Sequence, residues 1–165
     1  MIDHFSAAMA GAGFKVSVIA PAYACFRQRW AQLPKLLELQ VPIDDRLVTV
    51  RVRSIHERHV TVHLLEAAND CDDAALSTWF AMPYPPGDAA VRLTGPVILA
   101  RGSLLLLESL ADLRGTRFPD VLLTNDWVAA LTTPYAHHAM WARGANNALG
   151  AMTRTTLSSR AQSGE

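Results

Sequence analysis

Cysteine is scarce: Cys25 and Cys71 are the only two in 165 residues. Thiols so few and so far apart make neither a disulfide scaffold nor a zinc site, and a reducing intracellular compartment suits them. Net charge is missing as well. Fifteen basic residues balance fifteen acidic ones, which argues against a broad electrostatic footprint for nucleic acid. No run approaches the roughly 20 apolar residues of a membrane span. The N-terminus does not read as a signal peptide: Asp3 and His4 stand where a basic start belongs, and Lys15 breaks the apolar stretch. Gly-x-Gly-x-x-Gly, phosphate-loop and Gly-x-Ser-x-Gly motifs are absent. The chain is therefore expected to have no membrane and no nucleic-acid partner, and to be cytoplasmic unless a targeting segment has been lost.

What is present is a hydrophobic half, enough for one ordinary domain with a core. Small and apolar residues over 3–12 suit a helix, with Gly11 and Gly13 placed to end it. Residues 15–21 read as a strand closed by Pro21. Residues 23–41 read as an irregular connection, then a short helix over 33–39. Two alternating runs follow, 47–53 and 59–65, joined by Ser54-Ile-His-Glu-Arg58. Period-two alternation around a polar connector signals a β-hairpin. Residues 67–88 read as a long surface loop, because Pro83-Tyr-Pro-Pro-Gly87 cannot continue a helix or a central strand. Residues 97–113 make the best helix.

Phe118 to Leu131 carries the functional signal. Val121-Leu-Leu123 is short and wholly apolar, as a strand buried on both faces would be. Thr124, Asn125 and Asp126 would sit at its carboxyl end, where open α/β sheets place their ligands. A helix is expected over 128–140, and no strand beyond it. The fold class expected is α/β: a Rossmann-like, mostly parallel sheet flanked by helices, with an inserted β-hairpin. The expected organisation is a domain over 1–140 and a poorly ordered tail over 141–165.

In this order the chain resembles the N-terminal domain of glycogen and starch synthases, retaining glycosyltransferases of the two-domain GT-B type. Four pieces carry the resemblance: Phe5 to Pro21, the hairpin at 47–65, Ala100-Arg-Gly-Ser-Leu-Leu-Leu-Leu-Glu108, and Pro119-Asp-Val-Leu-Leu-Thr-Asn-Asp-Trp127. Together they span about residues 5–138. The resemblance implies glucose transfer from a nucleotide sugar, ADP- or UDP-glucose, to an α-1,4-glucan acceptor, with no separate cofactor. It also extends the compartments to the plastid.

Three family features have no counterpart in this sequence. They are the Lys-x-Gly-Gly turn on a first strand, the later His-Asn strand, and the second Rossmann-like domain that holds most of the nucleotide. The chain is thus expected to open part-way into an α/β unit, to need a C-terminal GT-B domain as partner, and to be inactive as an isolated fragment. The alternatives are a non-catalytic glucan-binding or regulatory module, or an unrelated α/β binding domain such as a flavodoxin-like one. A parallel sheet without the hairpin would favour the last.

The candidate substrate-binding residues are Asp126, Asn125, Trp127 and Tyr84; no catalytic residue is assigned. Asp126 can accept hydrogen bonds from sugar hydroxyls, or it can cap the following helix. Trp127 can face a sugar ring or pack into the core. Asn125 can touch substrate or merely shape the turn, and Tyr84 can reach an acceptor or anchor its loop. His56, His59 and His63 invite a metal reading, but spacing puts only His59 and His63 on one strand face and brings no well-placed carboxylate, so no metal is expected and the three read as solvated. His137 and His138 read as lying near a helix end, against its carbonyls.

Overall fold

The computed structural model describes residues 2–68, 79–81, 89–115, 118–142 and 154–156. The chain divides into two compact units, 1–98 and 99–165.

The first unit opens with α1 (Ile2–Gly11) and β1 (Val16–Pro21). Gly13, at φ +92°, ends the helix as the sequence predicts. Its N–H donates to Ala10 O at 3.0 Å and the Phe14 N–H to Met9 O at 3.2 Å, the paired bonds of a Schellman cap. A 3₁₀ turn (Ala24–Phe26) and α2 (Arg27–Trp30) lead to three strands, β2 (Lys35–Ile43), β3 (Arg46–Glu57) and β4 (Val60–Ala67). The sheet order is β1-β4-β3-β2. β1 runs parallel to β4, with Val16 opposite Val60, while the other two ladders are antiparallel. The α/β class and the hairpin are as expected; the hairpin ladders make this sheet mixed. The presence of the hairpin removes the argument for a flavodoxin-like domain.

Three local expectations are corrected. The helix predicted over 33–39 is strand β2. Leu36, Leu37, Glu38 and Leu39 all suit a helix, but pairing overrides local preference. Leu39, Val41 and Ile43 are buried while Glu38 and Gln40 face out against Arg51 and Thr49 of β3. The five-residue connector 54–58 is mostly strand. The turn is only Arg58–His59, both at positive φ (49° and 66°), the left-handed pair that a two-residue hairpin turn needs. Finally, His63 is not solvated. It is 1% exposed, with Nδ1 2.6 Å from Ser54 Oγ on the facing strand. His56 lies in β3, with Nδ1 3.1 Å from Thr61 Oγ1, and His59 is the residue in the turn.

Arg53 ties the sheet to the segment before it. Its Nε donates to Glu66 Oε2 at 2.8 Å and its Nη1 to Leu33 O at 2.7 Å. The guanidinium also lies 5.8 Å from the Trp30 ring centroid, and Trp30 Nε1 donates to Tyr23 O at 2.9 Å. Within 67–88 the described part beyond Ala68 is a helical turn at 79–81 carrying the buried Trp79. Trp79 packs edge-to-face on Phe80 (centroids 4.8 Å apart, 87° between planes) and tilts against Tyr23 at 5.6 Å.

α3 (Ala89–Arg114) is longer than the 97–113 expected and contains Pro96. Leu93–Leu113 is long and apolar enough to cross a membrane by length and composition, which corrects the expectation that no segment approaches that size. More than half of it is buried within the protein. Ile98, Ala100, Leu104 and Leu106 are interior.

The second unit holds β5 (Leu123–Asn125), α4 (Asp126–Ala130), α5 (Thr132–Ala142) and β6 (Arg154–Thr156). β6 lies where the sequence predicts no strand, and it pairs parallel to β5.

Candidate functional site

The strand before the polar cluster is shifted two residues toward the C-terminus. β5 is Leu123–Asn125 rather than 121–123, so the cluster is the strand end itself. The expectation of burial on both faces fails. Val121 and Leu123 are exposed and only Thr124 is interior; among the described residues β5 is paired to β6 alone.

The chain turns from strand to helix in one residue. Asn125 is still extended (φ −113°, ψ 127°) and its side chain caps nothing. Asp126 then takes φ +67°, the left-handed region that Asp and Asn enter more cheaply than other side chains. Its carboxylate Oδ1 accepts the Trp127 N–H at 2.7 Å, meeting one donor that the helix start leaves without an intrahelical partner. Asp126 thus bonds the N–H of the residue after it, while Asn125, at the N-cap position, makes no capping bond. The half-buried carboxylate remains at the end of β5 beside Asn125, which is exposed.

Trp127 is 37% exposed and not a core residue. Asn125, Asp126 and Trp127 are brought together at one strand tip, while Tyr84 lies outside the described residues.

α5 fixes the tip from behind. It buries Thr132 and Ala136, and Thr133 Oγ1 lies 3.4 Å from Thr124 Oγ1 on β5. The Arg101 guanidinium of α3 sits 5.1 Å from the Tyr135 ring centroid. The sequence places Thr124 in the polar cluster but shows neither its contact with Thr133 nor that of Arg101 with Tyr135, because periodicity does not reveal pairs joined by packing. His137 and His138 are exposed and lie within α5 rather than at its end. Among the described residues no group of three or more His, Cys, Asp or Glu side chains is arranged to hold a metal ion.

The family model for the starch synthase catalytic domain matches residues 1–153. The chain belongs to this family. Among solved structures, this starch synthase-family chain is similar to the catalytic domain of starch synthase IV from Arabidopsis thaliana bound to ADP and acarbose. The TM-score is 0.65 at 20% sequence identity, over 91% of this chain and 27% of that one. The likeness is one of fold, and the chain spans about a quarter of that structure's length. No curated protein sequence matches it.

Proposed function

We propose that this starch synthase-family chain forms the acceptor-side part of a glucosyltransferase and that its strand tip binds α-glucan. In this reading the whole enzyme transfers glucose from a nucleotide sugar to an α-1,4-glucan. The observation that carries the proposal is the tip itself. A family-matched Asp-Trp pair stands at the carboxyl end of a strand, with the carboxylate half-buried and the indole open to solvent.

Asp126 would accept from sugar hydroxyls through whatever acceptor capacity its contacts within the protein leave. Trp127 would offer its apolar face to a pyranose ring. Asn125 would add a polar contact at the rim, and Tyr84 would approach from the Pro-rich segment. No metal and no cofactor is assigned. The donor to test first is ADP-glucose, since the Arabidopsis domain binds ADP, with UDP-glucose beside it. Transfer also needs groups that stabilise a departing nucleotide diphosphate. None is assigned among the present residues, so the 165-residue chain alone is expected to bind glucan without extending it.

The test is affinity electrophoresis in glycogen and calorimetry with maltoheptaose, on wild type and Asp126→Asn, alongside labelled ADP- and UDP-glucose incorporation. Asn tolerates the left-handed conformation while removing the charge. Retardation by glycogen that Asp126→Asn abolishes supports the reading. Equal binding by both, or none by wild type, sinks it, and label incorporation by the chain alone refutes the expected inactivity.

A further inference from the structure

The tip cannot hold its own shape. α4 is five residues long, far below the length at which a helix is stable unaided, and it begins at the left-handed Asp126, a conformation that persists only where surroundings fix it. The orientation of Asp126 and Trp127 depends on the elements joined to α4, α5 among them. α5 follows α4 after the single residue Leu131, which stays right-handed (φ −65°, ψ −19°), and the Tyr135 N–H donates to Leu131 O at 3.4 Å. A constraint on α5 reaches the tip through this short link and through the Thr124–Thr133 contact with β5.

Arg101 applies that constraint. It is half-buried on α3 between the interior residues Ala100 and Gly102, with its guanidinium over the Tyr135 ring. A cation on a ring is held more strongly there than at an exposed site. Thr124 and Thr133 add a second tie, from β5 to the same helix.

We propose that Arg101 is a positioning residue for glucan recognition. Seated on Tyr135, it holds α5 and, through Leu131 and the Thr124–Thr133 tie, the strand tip, so that Asp126 and Trp127 present the glucan-binding geometry. This rests on the glucan reading of the tip, and the test separates the two.

The full chain is labelled with 5-fluorotryptophan, which gives one fluorine resonance each for Trp30, Trp79, Trp127 and Trp141, assigned by single Trp→Phe changes. In Arg101→Met and Tyr135→Leu the Trp127 resonance moves or splits while those of Trp30 and Trp79 stay, and maltoheptaose affinity falls roughly two- to fivefold, the share of binding-competent tips lost with one cation–ring contact. Tyr135→Phe keeps the ring and matches wild type in both readouts. Arg101→Lys, which keeps charge but not the planar stack, gives a smaller Trp127 shift. An unmoved Trp127 resonance in Arg101→Met overturns the proposal. So does Tyr135→Phe behaving as Tyr135→Leu, or a shift of every resonance, which marks general loss of fold. If wild type shows no maltoheptaose affinity yet Arg101→Met still displaces Trp127 alone, Arg101 does position the tip and it is the glucan reading that fails.

Discussion

Gly95 sits in the interior of α3, where alanine is ordinarily better by about 1 kcal/mol. Here the substitution is expected to destabilise. A Cβ added at Gly95 would come well inside 3.0 Å of Cδ2, Cε2 and Cγ of Trp79, so the indole lies directly over the glycine. To regain a carbon–carbon separation of ~3.5–4.0 Å the ring would have to retreat by about 2 Å. It has little room, being 1% exposed and packed against Phe80 and Tyr23. Overpacking of this kind costs ~1–3 kcal/mol, and a clash with a fully buried ring belongs at the upper end. After the helix-propensity gain is subtracted, Gly95→Ala should lose about 2 kcal/mol, a fall in Tm of roughly 4–8 °C for a chain of this size. The assay is thermal and urea unfolding followed by near-ultraviolet circular dichroism. Gly11→Ala is the matched control, because nothing lies within 4 Å of the added methyl. It should be neutral or stabilising, by up to about 1 kcal/mol. Combining Gly95→Ala with Trp79→Leu should cost less than the sum of the two changes, since the smaller side chain leaves room for the methyl. A Gly95→Ala protein as stable as wild type, or an additive cycle, would refute the reasoning.

Other consequences are as direct. Arg53→Met strands the Glu66 carboxylate, whose side chain is 8% exposed; urea midpoints should report a loss of about 3–5 kcal/mol, largely restored by adding Glu66→Leu. Hydrogen bonds from Lys35, then from Arg51, hold the Glu38 carboxyl below the usual glutamate range. By NMR titration its midpoint should rise in Lys35→Ala and in Arg51→Ala. Because the folded-state value is the depressed one, Glu38 favours folding above the ordinary glutamate pKa, and that contribution disappears as pH falls through the lowered value. Replacing Arg58 by Asn and His59 by Gly should stabilise the hairpin by about 1 kcal/mol in thermal melts, since both positions are left-handed. No gain would mean that these residues make contacts that offset the backbone cost.

Much of the frame was legible because it is periodic or punctuated. Val48, Val50 and Val52 alternate with Thr49, Arg51 and Arg53, and such alternation can bury one face only in a strand. Gly13 announced the helix end, and Pro119-Asp to Asp126-Trp127 located the strand tip and the family together. The β2 segment reads as helix in sequence because Leu, Glu and Lys are good helix formers, and only the neighbouring β3 makes their alternation count. The hairpin turn was overestimated because Arg58-His59 lacks the glycine that usually marks a left-handed pair. At the site, the sequence put Asn125, Asp126 and Trp127 side by side, but it left open whether Asp126 caps a helix or faces a cleft.

The sequence by itself determined the α/β class, the hairpin, the family and the tip that carries its Asp-Trp pair, because each is written in neighbouring residues or in short periods. The tertiary structure alone decided the rest: that His63 is buried against Ser54, that Gly95 exists to admit an indole ring, that Asp126 bends left-handed while accepting the Trp127 N–H, and that Arg101 reaches Tyr135. These features depend on groups brought together by folding rather than by spacing. Distant residues meet through packing, and packing has no period along the chain.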